Sequence, residues 1–203
     1  GRVNKGMGLT ATSAELLWQD RAGLITSVSI DGDYLEFTVG SFGGGNALIA
    51  VRNNSGTILW SWHIWATDDN LSNTTVVAPD MHNYTVAPVN LGWVPTGDNG
   101  KQGYCPYYQW GRKDPFIPYN GTTNGNTNKT VYNISGATVA GITHSQTNVY
   151  IQDNIKNPTT YYYNSDNYSP CYDTYCNMWD AQNDTPTENV ATATKKTIYD
   201  PCP

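Results

Sequence analysis

One stretch constrains this chain more than any other: Thr57-Ile58-Leu59-Trp60-Ser61-Trp62-His63-Ile64-Trp65-Ala66-Thr67. It is the densest apolar run and holds three of the seven Trp. With a period of two, Ile58, Trp60, Trp62, Ile64 and Ala66 share one face, and Leu59, Ser61, His63 and Trp65 share the other. β-Branched and aromatic residues in this alternation predict a strand. One face reads as fully buried and the second as half-buried, which predicts a central strand. Aromatic side chains dominate core energetics, so these Trp are expected first as core.

The residues before this strand organise around it. Leu24–Ile30 reads as a strand, Asp31-Gly32-Asp33 as a tight turn, and Tyr34–Val39 as the return, with Leu35, Phe37 and Val39 on one face. The glycine-rich segment Gly40–Gly45 is a crossing. It lacks the Lys-Ser/Thr that completes a phosphate loop. Asn46–Val51 is the next strand, and Arg52–Gly56 turns it into the Trp strand. Residues 24–67 therefore predict two consecutive hairpins, an antiparallel meander. Ser13–Trp18 allows either a helical turn or the entry to the first strand, and residues 1–15 read as an N-terminal extension.

After Thr67 the texture changes. Asp68-Asp69-Asn70 reads as a solvated turn, because the spaced ligands of a calcium loop are missing. Val76–Pro79 and Tyr84–Val89 are short strand candidates limited by Pro. Residues 117–169 are long, polar and rich in Asn, Thr, Tyr and Gly, with strand-like pieces near Thr138–Thr143 and Val149–Ile151. The expected fold class is mostly β, an antiparallel meander packed on a loop-rich half, with at most short helices. The expected organisation is a single β-rich domain over 16–203, divided into the meander at 24–67 and the loop-rich half at 68–203.

Composition narrows the function classes. Charged residues make up 14% of the 203, and the net charge is -6, which argues against nucleic acid and anionic membranes as partners. No apolar run approaches the length of a membrane-spanning helix. Tyr outnumbers Phe by 15 to 3, so the aromatic supply is amphipathic and suits binding faces. The four cysteines, Cys105, Cys171, Cys176 and Cys202, allow three pairings. No Cys-x2-Cys pair occurs and His63, His82 and His144 are scattered, so no metal site or cofactor is expected. No Gly-x-Ser-x-Gly elbow is present and no acidic pair stands out, so the chain is not read as an enzyme.

The best binding candidate is Tyr107-Tyr108-Gln109-Trp110-Gly111-Arg112-Lys113-Asp114-Pro115-Phe116. Tyr107, Tyr108 and Trp110 offer flat faces for sugar rings, and Gln109, Arg112 and Asp114 offer hydrogen bonds to hydroxyls. The competing reading packs Trp110 on the core and pairs Arg112 with Asp114 to order the loop. Tyr161, Tyr162, Tyr163 and Tyr168 form a second aromatic patch, read either as an exposed surface or as a strand with alternate rings turned inward.

Three separated motifs carry a resemblance. Gly56–Trp65, Tyr107–Phe116 and Thr197-Ile198-Tyr199-Asp200-Pro201-Cys202-Pro203 resemble, in that order, signatures of C-terminal domains of fimbrillin-like, pilus-associated adhesins and surface lipoproteins from Bacteroidetes. The same pattern is similar to the domain named for the Fibrobacter major paralogous proteins. The resemblance covers roughly residues 16–203. It implies a cell-surface, fimbrial or outer-membrane-anchored location and an adhesive role. The partners it implies are other pilus or surface subunits; a lectin-like module recognising host or dietary glycans is the alternative. It implies no catalytic residue. Ala87-Pro88-Val89-Asn90-Leu91-Gly92-Trp93 keeps an Asn-Leu-Gly element but lacks the Asp-Arg pair that precedes it in the family. The family pattern also implies further strands after Pro203. The Cys171/Cys176 spacing resembles the active-site pair of formylglycine-generating enzymes, and by analogy with their fold the resemblance implies a C-type-lectin-like arrangement as one option for the loop-rich half. A disulfide between the two cysteines is the structural alternative, and a redox enzyme is the remote functional one.

Overall fold

The computed structural model describes residues 1–4, 9–40, 44–72, 74–77, 83–96, 103–109, 112–118, 129–163 and 197–201. In chain order the strands are β1 (Arg2–Asn4), β2 (Ser13–Gln19), β3 (Ile25–Asp31), β4 (Tyr34–Val39), β5 (Gly45–Arg52), β6 (Ile58–Ala66), β7 (Thr74–Val77) and β8 (Asn83–Val86). Shorter pieces follow: β9 (Val94–Pro95), β10 (Gly103–Tyr104), β11 (Tyr107–Tyr108), β12 (Pro115–Phe116), β13 (Val131–Tyr132), β14 (Thr138–Val139) and β15 (Thr143–Gln146). A six-residue helix, α1 (Ile151–Lys156), precedes β16 (Thr160–Tyr163). The fold is mostly β and its sheets are antiparallel, apart from the parallel pair β15–β16.

Two sheets share the main core. One has the order β1-β4-β3 and the other β14-β13-β2-β5-β6. Leu16, Leu24, Ile25, Leu35, Ile49 and Trp60 meet between them. Gln19 stitches the layers together. Its Oε1 accepts from the Ile25 N–H at 2.6 Å, and its Nε2 donates to the Asn133 carbonyl at 2.9 Å.

Both predicted hairpins form, β3–β4 and β5–β6. They do not make one meander. β5 pairs with β2, so the glycine-rich crossing carries the chain from one sheet to the other. The first strand question resolves as strand, since Ser13–Gln19 runs antiparallel to β5. The described residues within 1–15 are not an appendage. β1 pairs with β4, and Leu9, Ala11 and Ala14 pack against the core.

From Trp60 to Ala66 the Trp strand has the two predicted faces, but a bulge breaks the alternation between Ile58 and Trp60, and the face expected to be fully buried leaves Trp62, Ile64 and Ala66 half-buried. Trp60, Trp62 and Ile64 stand opposite Val51, Ile49 and Ala47, while Ser61, His63 and Trp65 stand opposite Ala50, Leu48 and Asn46. Its position differs from expectation. β6 is the edge of its sheet, and β5 is the inner strand, buried from Gly45 to Val51. An edge strand carries unpaired backbone groups that must be covered. Here Lys113 donates to the Ser61 carbonyl at 2.9 Å, and α1 packs against β6.

Val149–Ile151 does not form a strand. Ile151 opens α1, where the Asp153 carboxylate accepts from the Tyr150 N–H at 3.0 Å and so caps the first turn. The chain also uses one loop design twice. Asn53 Oδ1 accepts from the Ser55 and Thr57 amides, and Asn133 Oδ1 accepts from the Ser135 and Ala137 amides. Gly56 and Gly136 follow with φ of 78° and 81°, a region that L side chains avoid. The sequence signal is the repeat Val-x-Asn-x-Ser-Gly at 51–56 and 131–136, which marks β13–β14 as a second hairpin of the same kind.

Candidate functional site

The second face of the five-stranded sheet carries polar side chains, and the segment around residues 104–118 covers it. Asn46 on β5 is the first anchor. Its Nδ2 donates to Asp20 Oδ2 at 3.0 Å and to the Gly92 carbonyl at 2.9 Å. Both partners are acceptors, so the remaining Oδ1 must accept. It lies 2.9 Å from His63 Nε2, which therefore carries the proton. His63 Nδ1 then accepts from the Tyr108 hydroxyl at 2.8 Å. Burial holds the His63 pKa down at about 4, with the Asp114 charge opposing. The ring is a neutral connector between the sheet and β11.

Gly92 is required at this junction. Its φ is +79°, and an added Cβ would lie 2.5 Å from Pro106 Cδ and 2.7 Å from Asn46 Oδ1. Asp20 is buried too, and burial raises its pKa despite the Asn46 hydrogen bonds that oppose the shift.

A second anchor lies further along β6. Ser61 Oγ donates to Asp114 Oδ1 at 2.8 Å. Lys113 Nζ donates to Ser61 Oγ at 2.6 Å and to Asp114 Oδ1 at 2.7 Å. It also sits 4.4 Å from the centre of the Trp60 ring. The side chains of Lys113 and Asp114 are 7% and 3% exposed, so this is a desolvated ion pair, and burial pushes the Lys113 pKa down.

The third anchor reaches the C-terminal side of the described chain. The Arg112 guanidinium donates to the carbonyls of Thr160, Pro158 and Asn157 at 2.5, 3.1 and 3.3 Å. Gln109 Nε2 donates to the Tyr162 carbonyl at 2.6 Å. These bonds clamp the loop after α1 and the start of β16.

The sequence candidates separate into two groups. Gln109, Arg112 and Asp114, expected to meet sugar hydroxyls, are buried and bonded to protein groups. The expected Arg112–Asp114 ion pair is replaced by Lys113–Asp114, because Arg112 is directed to backbone carbonyls. Tyr108 is half-buried and serves His63. Tyr107 stays 38% exposed. In the second patch, Tyr162 turns inward, while Tyr161 and Tyr163 share the other face of β16. Trp110, Tyr168, Cys171 and Cys176 lie outside the described residues. Cys105 is a free thiol whose pKa burial raises. Among the described residues no cluster of His, Cys, Asp and Glu is placed to hold a metal ion. Asp69 and Asn70 close local turns with Thr67 and Ser72.

Phe116 joins the two aromatic groups. Its ring centre is 6.0 Å from that of Tyr107 and 5.5 Å from that of Tyr161. Tyr161 continues to Tyr163 at 6.1 Å and to His144 at 5.6 Å. Sequence reading placed Tyr107 and Tyr161 in separate patches and gave Phe116 and His144 no role. The β11–β12 pairing sets Tyr107 against Phe116 and the parallel β15–β16 pairing sets His144 against Tyr161, while the contact of Phe116 with Tyr161 joins the two ribbons.

No protein-family model, no curated protein and no solved structure matches this chain. Among the described residues no helix is long and apolar enough to cross a membrane.

Proposed function

We propose that this chain is an adhesion-bearing domain of a cell-surface component, fimbrial or anchored in the outer membrane. One observation carries the reading: Tyr107 is exposed on the 107–116 segment and packs on the buried Phe116, which meets Tyr161 of β16, while Arg112, Lys113 and Asp114 are spent inside as a clamp. Tyr suits such a contact surface, because it supplies large amphipathic area with few rotatable bonds. A rigid support lowers the ordering cost of engagement. The three motifs that resemble signatures of fimbrillin-like surface proteins support this role. The partners of such a domain are other surface subunits or glycans on a target cell.

The reading is tested in two steps. An antibody to the chain should label intact cells that produce it. Beads coated with the full chain should adhere saturably to target cells and be displaced by soluble chain. Intact cells that stay unlabelled, or beads that adhere no better than albumin-coated ones, overturn the proposal.

A further inference from the structure

The strip Tyr107–Phe116–Tyr161–Tyr163 has a composition that selects among ligands. Tyr107 is exposed, Tyr161 and Tyr163 are half-buried, and Phe116 is the buried spacer that sets their separation. His144 stands opposite Tyr161 in the parallel register, and Gln146 stands opposite Tyr163. Both are exposed. The strip therefore places aromatic side chains next to the hydrogen-bonding groups of His144 and Gln146. Its cations point away from solvent: Arg112 holds three carbonyls from below, and Lys113 is paired with Asp114. Within 107–108, 115–116, 143–146 and 160–163 no Lys, Arg, Asp or Glu occurs.

From this we infer that the strip binds a neutral polysaccharide, with pyranose rings lying on Tyr107, Tyr161 and Tyr163. The inference rests on the adhesion reading and names its ligand class. Pyranose rings carry apolar C–H faces that pack on aromatic rings, and their hydroxyls at the rim match His144 and Gln146. Tyr161 and Tyr163 lie 6.1 Å apart on one face of β16, and Tyr107 lies beyond the buried Phe116, so the strip is longer than one monosaccharide. An anionic glycan would find no exposed cation along these segments and would approach a protein of net charge -6. The Arg112 and Gln109 bonds to the carbonyls of 157–162 keep the rings in place before the ligand arrives.

The experiment is affinity electrophoresis of the full chain through native gels. The gels contain xyloglucan, mixed-linkage β-glucan, galactomannan or soluble starch as neutral probes, and hyaluronan or heparin as acidic ones. At least one neutral polymer should retard the chain, and the acidic ones should not. Tyr107→Ser and Tyr161→Ala should each weaken the retardation about tenfold, and Tyr161→Phe should keep it. Tyr107 is exposed, so its substitution leaves the fold intact even where that at Tyr161 does not. Retardation by the acidic polymers alone, by none of the neutral ones, or unchanged in Tyr107→Ser, overturns the inference. Beads that still adhere to cells in that event leave the adhesion reading standing and move its ligand to protein. Beads that fail as well remove both.

Discussion

The two faces of the five-stranded sheet are covered by different chemistry. Towards β1, β3 and β4 the cover is apolar: Ile49, Val51 and Trp60 pack on Leu35 and Ile25. Towards residues 104–118 a smaller apolar group, Trp18, Leu48, Ile117 and Val131, sits beside the polar anchors at Asn46, His63 and Ser61. Apolar burial is strong but non-directional, at about 25 cal/mol per Å². Buried hydrogen bonds contribute less net stability and specify geometry. The comparison shows why a loop-rich segment can present rings at fixed positions. The apolar face holds the fold, and the polar face sets where the aromatic strip lies.

The largest expected effect breaks the polar face. Asp114→Ala leaves the Lys113 ammonium buried without its carboxylate and should cost about 4 kcal/mol in urea unfolding. The double change Lys113→Met/Asp114→Leu should recover most of that loss, because two apolar side chains replace a desolvated pair. A double variant as unstable as the single one would mean the pair supplies more than mutual neutralisation. On the apolar face, Ile49→Ala should cost about 3 kcal/mol through lost burial and a cavity. The strip should keep its ligand in that variant at temperatures where the fold persists, which separates the two roles. Arg112→Lys comes next, at about 2 kcal/mol, since an ammonium cannot span the carbonyls of 157, 158 and 160. Hydrogen exchange should rise at 158–163 and stay unchanged in β5. Equal exchange in both regions would deny Arg112 its role as a clamp.

The last effect is read by pH. The folded His63 ring titrates at about 4 rather than at the ordinary 6.5. Between those values the unfolded chain holds the extra proton, so stability falls as pH falls through this window. The loss is on the order of 2 kcal/mol once the partial exposure of the ring is discounted. Asp20 works in the opposite sense, because its raised carboxyl takes a proton in the folded state first. Urea midpoints for the parent and for His63→Gln isolate the histidine contribution. The variant should show a flatter dependence from pH 6.5 to 4. Parallel curves would show that His63 is not held neutral.

Local patterns were readable in the sequence, and long-range pairings were not. Alternation in 60–66 predicts both faces of that part of β6, and Asp31-Gly32-Asp33 predicts the first hairpin turn. Alternation is blind to which strand lies at the edge, so the central position was assigned to β6 when it belongs to β5. The 107–116 segment was recognisable as aromatic and charged. Which half faces inward depends on Ser61, some fifty residues earlier, and on carbonyls near 160, some fifty residues later. A six-residue helix offers too few turns for a period of 3.6 to show, so only Ile151 of α1 carries a signal, and that signal is strand-like.

The inward turn of the charged half is the claim on which the rest depends, and chemical labelling tests it directly. The native chain is reductively methylated, digested and analysed by mass spectrometry, with exposed Lys156 as the internal reference. The account predicts that Lys113 stays unmodified while Lys156 is dimethylated, and that Lys113 reacts only after unfolding in urea. Methylation of Lys113 at the rate of Lys156 in the native chain would contradict it, and would place Lys113 and Asp114 at the surface.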